Sequence, residues 1–146
     1  MKRRIFLVSN ITVPLLLGAV IYCLTSPDVI FVEAVRSLWG MPVLSGRGTL
    51  HGGIWQFVRY YLLDVLWAYA LVFALYFAIG NNAAKLKMAF VIAILFSTVM
   101  EVIQLFPIIP GCFDLLDILV EALAEAFAAL IIKTHYEEAR NICETK

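Results

Sequence analysis

Long runs of apolar residues alternate with short polar stretches along the chain, and each run is long enough to cross a bilayer. A membrane-spanning helix needs about 20 mostly apolar residues, with roughly 17 to 25 tolerated. The four runs cover residues 5–24, 62–79, 86–106 and 114–132. The pattern therefore predicts an all-α fold, an integral membrane bundle of four transmembrane helices that forms a single domain over residues 1–146.

The segment 25–59 between the first two runs has a different pattern. Ser26, Pro27 and Asp28 form a helix-start signal, and apolar residues then recur on one face between Ile30 and Trp39. Several glycines follow, which interrupt any regular pattern. We expect an outer loop over 25–59 that carries a short amphipathic helix lying on the membrane surface.

The lysines and arginines predict how the bundle is oriented, because short cytoplasmic loops are enriched in them. Eight lie at the termini or beside the short connection between the second and third runs: Lys2, Arg3, Arg4, Lys85, Lys87, Lys133, Arg140 and Lys146. The other side has only Arg36, Arg47 and Arg59. This bias predicts a multi-pass protein of the bacterial cytoplasmic membrane with both termini in the cytoplasm, residues 135–146 forming a solvated end.

Composition agrees with a membrane protein and excludes several other classes. Hydrophobic residues make up 63% of the chain and charged residues 15%, against about 45–50% and about 25% in soluble domains. The net charge is zero, so no nucleic-acid partner is expected. Two histidines and three cysteines without metal-like spacing predict neither a metal site nor a cofactor.

Acidic side chains inside the predicted spans are the main functional signal. A charged side chain near the bilayer centre costs about 2.5 to 3.5 kcal/mol on insertion scales, so such residues face the bundle interior and mark function. On an ideal helix Asp114, Asp117, Glu121 and Glu125 fall at about 0°, 300°, 340° and 20°, which is one face. Ser97, Glu101 and Gln104 share a face of the third helix, and Tyr60, Asp64 and Trp67 share one of the second. We expect these faces to meet at a buried polar groove.

Depth divides the groove into two parts. Its binding residues near the outer membrane face are Asp64, Glu101, Gln104, Asp114 and Asp117. Glu121 and Glu125 lie roughly 10 to 16 Å further in, without a basic residue at their depth, and are expected to be protonated or to bind a cation. Simpler roles are open: Asp114 and Asp117 can cap the fourth helix, and Arg59 can pair with Asp64.

Three motifs together resemble the VanZ-like membrane proteins. They are the stretch from Asp64 to Ala70, Glu101-Val102-Ile103-Gln104 at the end of one run, and Gly111 to Leu119 with its Phe113-Asp114 and Asp117. The resemblance covers about half the chain. It implies a small protein of the bacterial cell envelope, associated in founding members with resistance to the glycopeptide teicoplanin, and it places the family's motif positions at Asp64, Glu101, Gln104, Asp114 and Asp117. Glu121 and Glu125 depart from the Asn and Gly residues that many relatives carry after the final Asp.

Three functions follow as hypotheses. The first is a VanZ-like envelope protein whose acidic groove binds a lipid headgroup, a cell-wall precursor or a partner protein. The second is a small proton- or cation-coupled transporter, working as an oligomer, that uses Glu121 and Glu125. The third is an intramembrane hydrolase with Asp114, Asp117 or Glu101 as acid and base, which is the least favoured because no nucleophile or metal set accompanies these carboxyl groups.

Overall fold

A computed structural model describes residues 2–25, 61–80, 82–106 and 113–144, and these residues form four α-helices. They are α1 (Lys2–Thr25), α2 (Leu63–Ile79), α3 (Ala83–Ile103) and α4 (Leu115–Glu144). The described residues include no β-strand, so the predicted all-helical fold is confirmed for them. The amphipathic helix expected within 25–59 lies outside the described residues.

Helices α1 and α3 each begin three residues before the predicted spans, at Lys2 and Ala83, and the last residues of α3 and α4 also differ from the prediction. Helix α3 ends at Ile103 rather than at 106, and residues 104–106 form a turn whose backbone N–H groups bond to carbonyls three residues earlier. Pro107 follows directly, and proline disfavours helical backbone in the residue before it. Helix α4 continues past the predicted end at 132 to Glu144, because residues such as Glu137, Glu138 and Arg140 favour helix without being apolar.

Helices α2 and α3 form an antiparallel hairpin, with a short connection. Gly80 ends α2 at φ +124°, a conformation that glycine adopts without strain. Its backbone N–H donates to the Tyr76 carbonyl at 3.2 Å. Asn82 then caps α3, because its Oδ1 accepts a 2.8 Å hydrogen bond from the backbone N–H of Lys85.

Loss of this cap is expected to destabilise the protein. The Asn82→Ala variant leaves the Lys85 N–H without its acceptor, and removal of an N-cap costs about 0.5–2 kcal/mol. The free energy of unfolding in detergent micelles should fall by that amount. The Asn82→Asp variant keeps an acceptor and should unfold like the wild type; equal losses in both variants would show that the cap is not the cause.

Helix α2 occupies the centre of the bundle, where it packs against α1, α3 and α4. Helix α4 also packs against α3. The largest cluster of buried apolar side chains lies where α2 ends and α3 begins, a region we call the apolar end. Its members are Leu7, Val72, Phe73, Tyr76, Ala89, Ala93, Ala128 and Ile132.

The start of α1 contacts α4 at the apolar end, so the prediction of a solvated end over 135–146 is wrong for His135 and Tyr136; the side chains that follow lie outside the described part of the chain. The Phe6 ring stacks on the His135 ring with centroids 3.9 Å apart. The Arg3 guanidinium lies 3.6 Å from the centre of the Tyr136 ring, which also contacts Tyr76 edge to face. These aromatic contacts hold His135 and Tyr136 half-buried against the bundle.

The outward surfaces of the helices are apolar. The side chains of Leu16, Leu95 and Leu123 are 60%, 59% and 63% exposed. Many other large apolar side chains on α1, α3 and α4 are also exposed. By length and composition, Arg3–Tyr22 and Ala84–Ile103 are able to cross a membrane, whereas α2 is shorter. Contiguous apolar surface of this extent marks an interaction with a membrane or with other protein.

Candidate functional site

The acidic side chains gather at the end of the bundle opposite the apolar end, where α2 and α4 begin and α3 ends. We call this region the acidic end. The Glu121 carboxyl is close enough to interact electrostatically with four other carboxyl groups, those of Asp64, Glu101, Asp117 and Glu125. Asp114 interacts in the same way with Glu101 and Asp117. The structure therefore brings together all six carboxyl groups that the sequence placed in the groove.

Each of three helices contributes a stripe of residues spaced by three or four, which keeps them on one face. The stripes are Asp64, Ala68, Val72 and Tyr76 on α2; Ala89, Ala93, Ser97 and Glu101 on α3; and Asp117, Glu121, Glu125, Ala128 and Ile132 on α4. All of these residues are buried except Asp64 and Asp117, which are half-buried. Along every stripe the side chains change from apolar at the apolar end to carboxyl at the acidic end.

The deepest polar contact joins α3 to α4. The Ser97 hydroxyl donates a 2.8 Å hydrogen bond to Glu125 Oε1. The Glu125 side chain is completely buried (0% exposed), and Ser97 is also buried. The second carboxyl oxygen of Glu125 has no hydrogen-bond partner, so this contact satisfies only half of a deeply buried group.

One helical turn nearer the acidic end, two glutamates occupy the positions that correspond to Ser97 and Glu125. Helices α3 and α4 run in opposite directions, so the residue four positions after Ser97 lies level with the residue four positions before Glu125. These residues are Glu101 and Glu121. Glu101 is 7% exposed and Glu121 is 5% exposed. Gln104 Nε2 donates to Glu101 Oε1 at 2.9 Å. The Oε2 atoms of both glutamates have no hydrogen-bond partner.

Asp64 adds a third carboxyl group beside this pair. It enters from α2, is half-buried, and interacts electrostatically with both Glu101 and Glu121. We call Asp64, Glu101 and Glu121 the carboxyl triad. The predicted partner Arg59 lies outside the described residues.

Asp114 and Asp117 form the rim of the site. Asp114 Oδ1 accepts a 2.9 Å hydrogen bond from the Leu116 backbone N–H, so the predicted capping role of Asp114 is confirmed. The Tyr61 hydroxyl lies 3.5 Å from Asp114 Oδ2, a long contact. Desolvation and the nearby charges of Asp114 and Asp117 raise the pKa of Tyr61, which keeps its phenol a neutral donor at the rim.

The predicted polar face of α2 is wrong at one position. Trp67 is 42% exposed and lies against Phe96, with ring centroids 6.2 Å apart. Ala68 takes the interior position instead and is fully buried. Ala68 is small, as expected of a fully buried residue on a helix that packs against both α3 and α4. Tyr60, the third residue of that predicted face, lies outside the described residues.

Two residues of the site were not named as binding residues from the sequence. Ser97 was placed on the same face as Glu101 but without a role, and the structure makes it the donor to Glu125. Its spacing of four residues from Glu101, within a run that is otherwise apolar, is the signal that could have identified it. Tyr61 precedes α2, and its contact with Asp114 spans 53 positions of sequence, which no local pattern indicates.

The arrangement offers many oxygen acceptors and few donors. Every lysine and arginine among the described residues belongs to the apolar half: Lys2, Arg3 and Arg4 start α1, Lys85 and Lys87 start α3, and Lys133 and Arg140 follow the stripe of α4. Within the described ranges, no three His, Cys, Asp or Glu side chains are placed to hold a metal ion. Within the part of the chain that the structure describes, the site therefore offers acceptors that a group with positive charge and N–H donors can match.

Comparisons with known proteins give no relative on which to base the function. No protein-family model, no curated protein and no solved structure matches the chain.

Proposed function

We propose that the protein is a VanZ-like integral membrane protein of the bacterial cell envelope that binds a ligand through the groove at its acidic end. The observation that supports this most directly is the inverted distribution of polarity. Carboxyl groups are buried between α2, α3 and α4, while large apolar side chains cover the outside. A soluble bundle has the opposite arrangement, whereas a lipid-facing bundle keeps its ionisable residues inside.

The charges of the described residues support one orientation in the bilayer. Lysines and arginines at the start of α1 and α3 belong to the apolar end, and cytoplasmic loops are the ones enriched in such residues. In this orientation the apolar end faces the cytoplasm, as both termini do, and the acidic end opens towards the outside. The groove is then accessible to lipid headgroups and to cell-wall precursors at the outer face.

The stripes become apolar towards the apolar end, which favours binding of a ligand over passage of an ion or solute through a single chain. Beyond Ser97 and Glu125 the facing positions are Ala93 and Ala128, both completely buried. Ile132 and Phe73 follow in the same buried cluster. A polar pathway across the bundle needs water or polar groups at these positions, so the polar stripes support binding at the acidic end over passage through the bundle.

Glycopeptide susceptibility tests this function. A deletion strain is complemented with the wild type, with Glu101→Gln or with Asp117→Asn, and growth inhibition by teicoplanin and by vancomycin is compared. We expect only the wild type to restore resistance, with the larger effect on teicoplanin. Glu138→Gln, the same exchange at the other end of α4, is the matched control. Equal complementation by all proteins, at equal expression, would refute a role for the groove in resistance.

The depth of Glu121 and Glu125 supports a second candidate, a proton- or cation-coupled transporter that works as an oligomer. Buried carboxyl groups without nearby cations are a feature of proton relays. In proteoliposomes, this candidate predicts an ion flux that is lost when both residues are replaced by glutamine. A flux that persists in the double variant would eliminate it.

A further inference from the structure

We propose that the carboxyl triad, Asp64, Glu101 and Glu121, binds a primary ammonium group at the end of a flexible alkyl chain. This inference rests on the proposed function, since it names the chemistry of the ligand that the groove accepts. It assigns the ligand's amine, rather than a metal ion or a neutral headgroup, as the part that enters the bundle.

The unpartnered oxygens of the triad are the first reason. Glu121 is 5% exposed, yet its Oε2 has no hydrogen-bond partner. Oε2 of Glu101, which is 7% exposed, also has none, although the Asp114 backbone N–H lies near that carboxyl group and Gln104 donates to its other oxygen. Buried polar atoms are almost always hydrogen-bonded, and an exception calls for a missing partner, so the Glu121 oxygen is the strongest sign of a ligand.

The kind of donor follows from charge and size. A cation beside three carboxyl groups favours their ionised form, and an ammonium group carries a positive charge with three N–H donors. Its nitrogen lies about 2.7–2.9 Å from carboxylate oxygens, whereas metal ions bind oxygen at about 2.0–2.6 Å. Among the described residues, no three His, Cys, Asp or Glu side chains are placed to hold a metal ion.

The position of the triad determines the shape of the ligand. Glu121 lies seven residues after Asp114, which is about 10 Å along the helix. Only a narrow chain with its charge at the tip reaches this depth between packed helices. Asp114 and Asp117 at the rim have the sign that attracts such a cation to the entrance.

Selective stabilisation by a primary amine tests the inference. The full-length protein is placed in phosphatidylcholine nanodiscs, and its unfolding midpoint is measured against rising concentrations of pentylamine at constant ionic strength. We expect the midpoint to rise in the wild type and in Glu138→Gln, the matched control. In Glu121→Gln and Asp64→Asn the apparent affinity should fall about tenfold, the effect of losing one charge-assisted hydrogen bond.

Two further ligands define what would overturn the inference. Tetramethylammonium carries the charge without N–H donors, and pentanol carries the chain without the charge, so neither should raise the midpoint as pentylamine does. An equal rise with tetramethylammonium or pentanol, or an undiminished affinity in both triad variants, contradicts the proposal. If one variant does not fold, the other still decides.

The source of the amine is resolved by the lipid. If an aminolipid headgroup supplies the amine, nanodiscs that contain phosphatidylethanolamine should raise the wild-type unfolding midpoint and weaken the effect of pentylamine. If a free amine is the ligand, this lipid should change neither the midpoint nor the effect of pentylamine. Both results support the ammonium site. If the wild type does not bind pentylamine but still restores teicoplanin resistance, this inference alone is overturned. If it binds pentylamine but does not restore resistance, the proposed function alone is overturned.

Discussion

The Ser97→Ala variant is expected to lower the free energy of unfolding by about 1–3 kcal/mol. Its hydroxyl is the donor to Glu125 Oε1, and the other oxygen of that carboxyl group already has no partner. The change therefore leaves a completely buried carboxyl group without any hydrogen bond. Titration of the protein from mild micelles into a denaturing detergent measures the loss.

A second substitution distinguishes this cause from a simple packing defect. When both partners of a buried polar contact become apolar, the cost is close to zero. The Ser97→Ala/Glu125→Leu double variant should therefore recover most of the lost stability. Ser9→Ala makes the same exchange at an exposed hydroxyl and should change stability by less than about 0.5 kcal/mol. A double variant less stable than Ser97→Ala would contradict the assigned contact.

The Phe73→Ala variant is expected to destabilise the apolar end by about 2–3 kcal/mol. Phe73 is completely buried and contacts the rings of Phe6 and Tyr69. In the bilayer of the proposed function, the Phe73 side chain of the unfolded protein stays in an apolar solvent. The free energy of transfer from water then contributes little, and the cost of the cavity left by the ring remains. A cavity of roughly 100 Å³ at about 24 cal/mol per Å³ gives this range.

The same detergent titration tests this value against an exposed aromatic residue. Phe77 lies four residues further along α2 and is exposed, so Phe77→Ala leaves no cavity and should cost less than about 0.5 kcal/mol. Losses of similar size in the two variants would show that the buried cluster does not hold the apolar end together.

Patterns within single helices were predictable from the sequence. The apolar runs identified all four helices, and the spacing of Glu121 and Glu125 identified the interior face of α4, because both depend on helical periodicity alone. The carboxyl groups of Asp64 and Glu101 were also predicted to lie near one another, and the structure brings them within electrostatic reach. This grouping was predictable because an acidic residue in an otherwise apolar helix has few favourable places other than the interior.

Features that depend on contacts between helices were not predictable. Trp67 and Ala68 are both compatible with the interior face of α2, and only the approach of α3 and α4 selects the smaller side chain. The pairing of Ser97 with Glu125 requires the relative shift of two antiparallel helices. The continuation of α4 to Glu144 was missed because the prediction ended the helix where the apolar run ends. A helix can continue beyond its apolar residues with polar residues that favour helical backbone.

The position of the acidic end relative to the membrane is the most direct test of the account. Single cysteines are introduced by Asp117→Cys, Ala93→Cys and Lys87→Cys in a chain whose Cys23, Cys112 and Cys143 are replaced by serine. Intact cells are then treated with a thiol reagent that does not cross membranes. We predict labelling of Asp117→Cys from outside, none at Ala93→Cys, and labelling of Lys87→Cys only after the membrane is permeabilised. Labelling of Lys87→Cys in intact cells, with Asp117→Cys protected until permeabilisation, would contradict an acidic groove that opens to the outside.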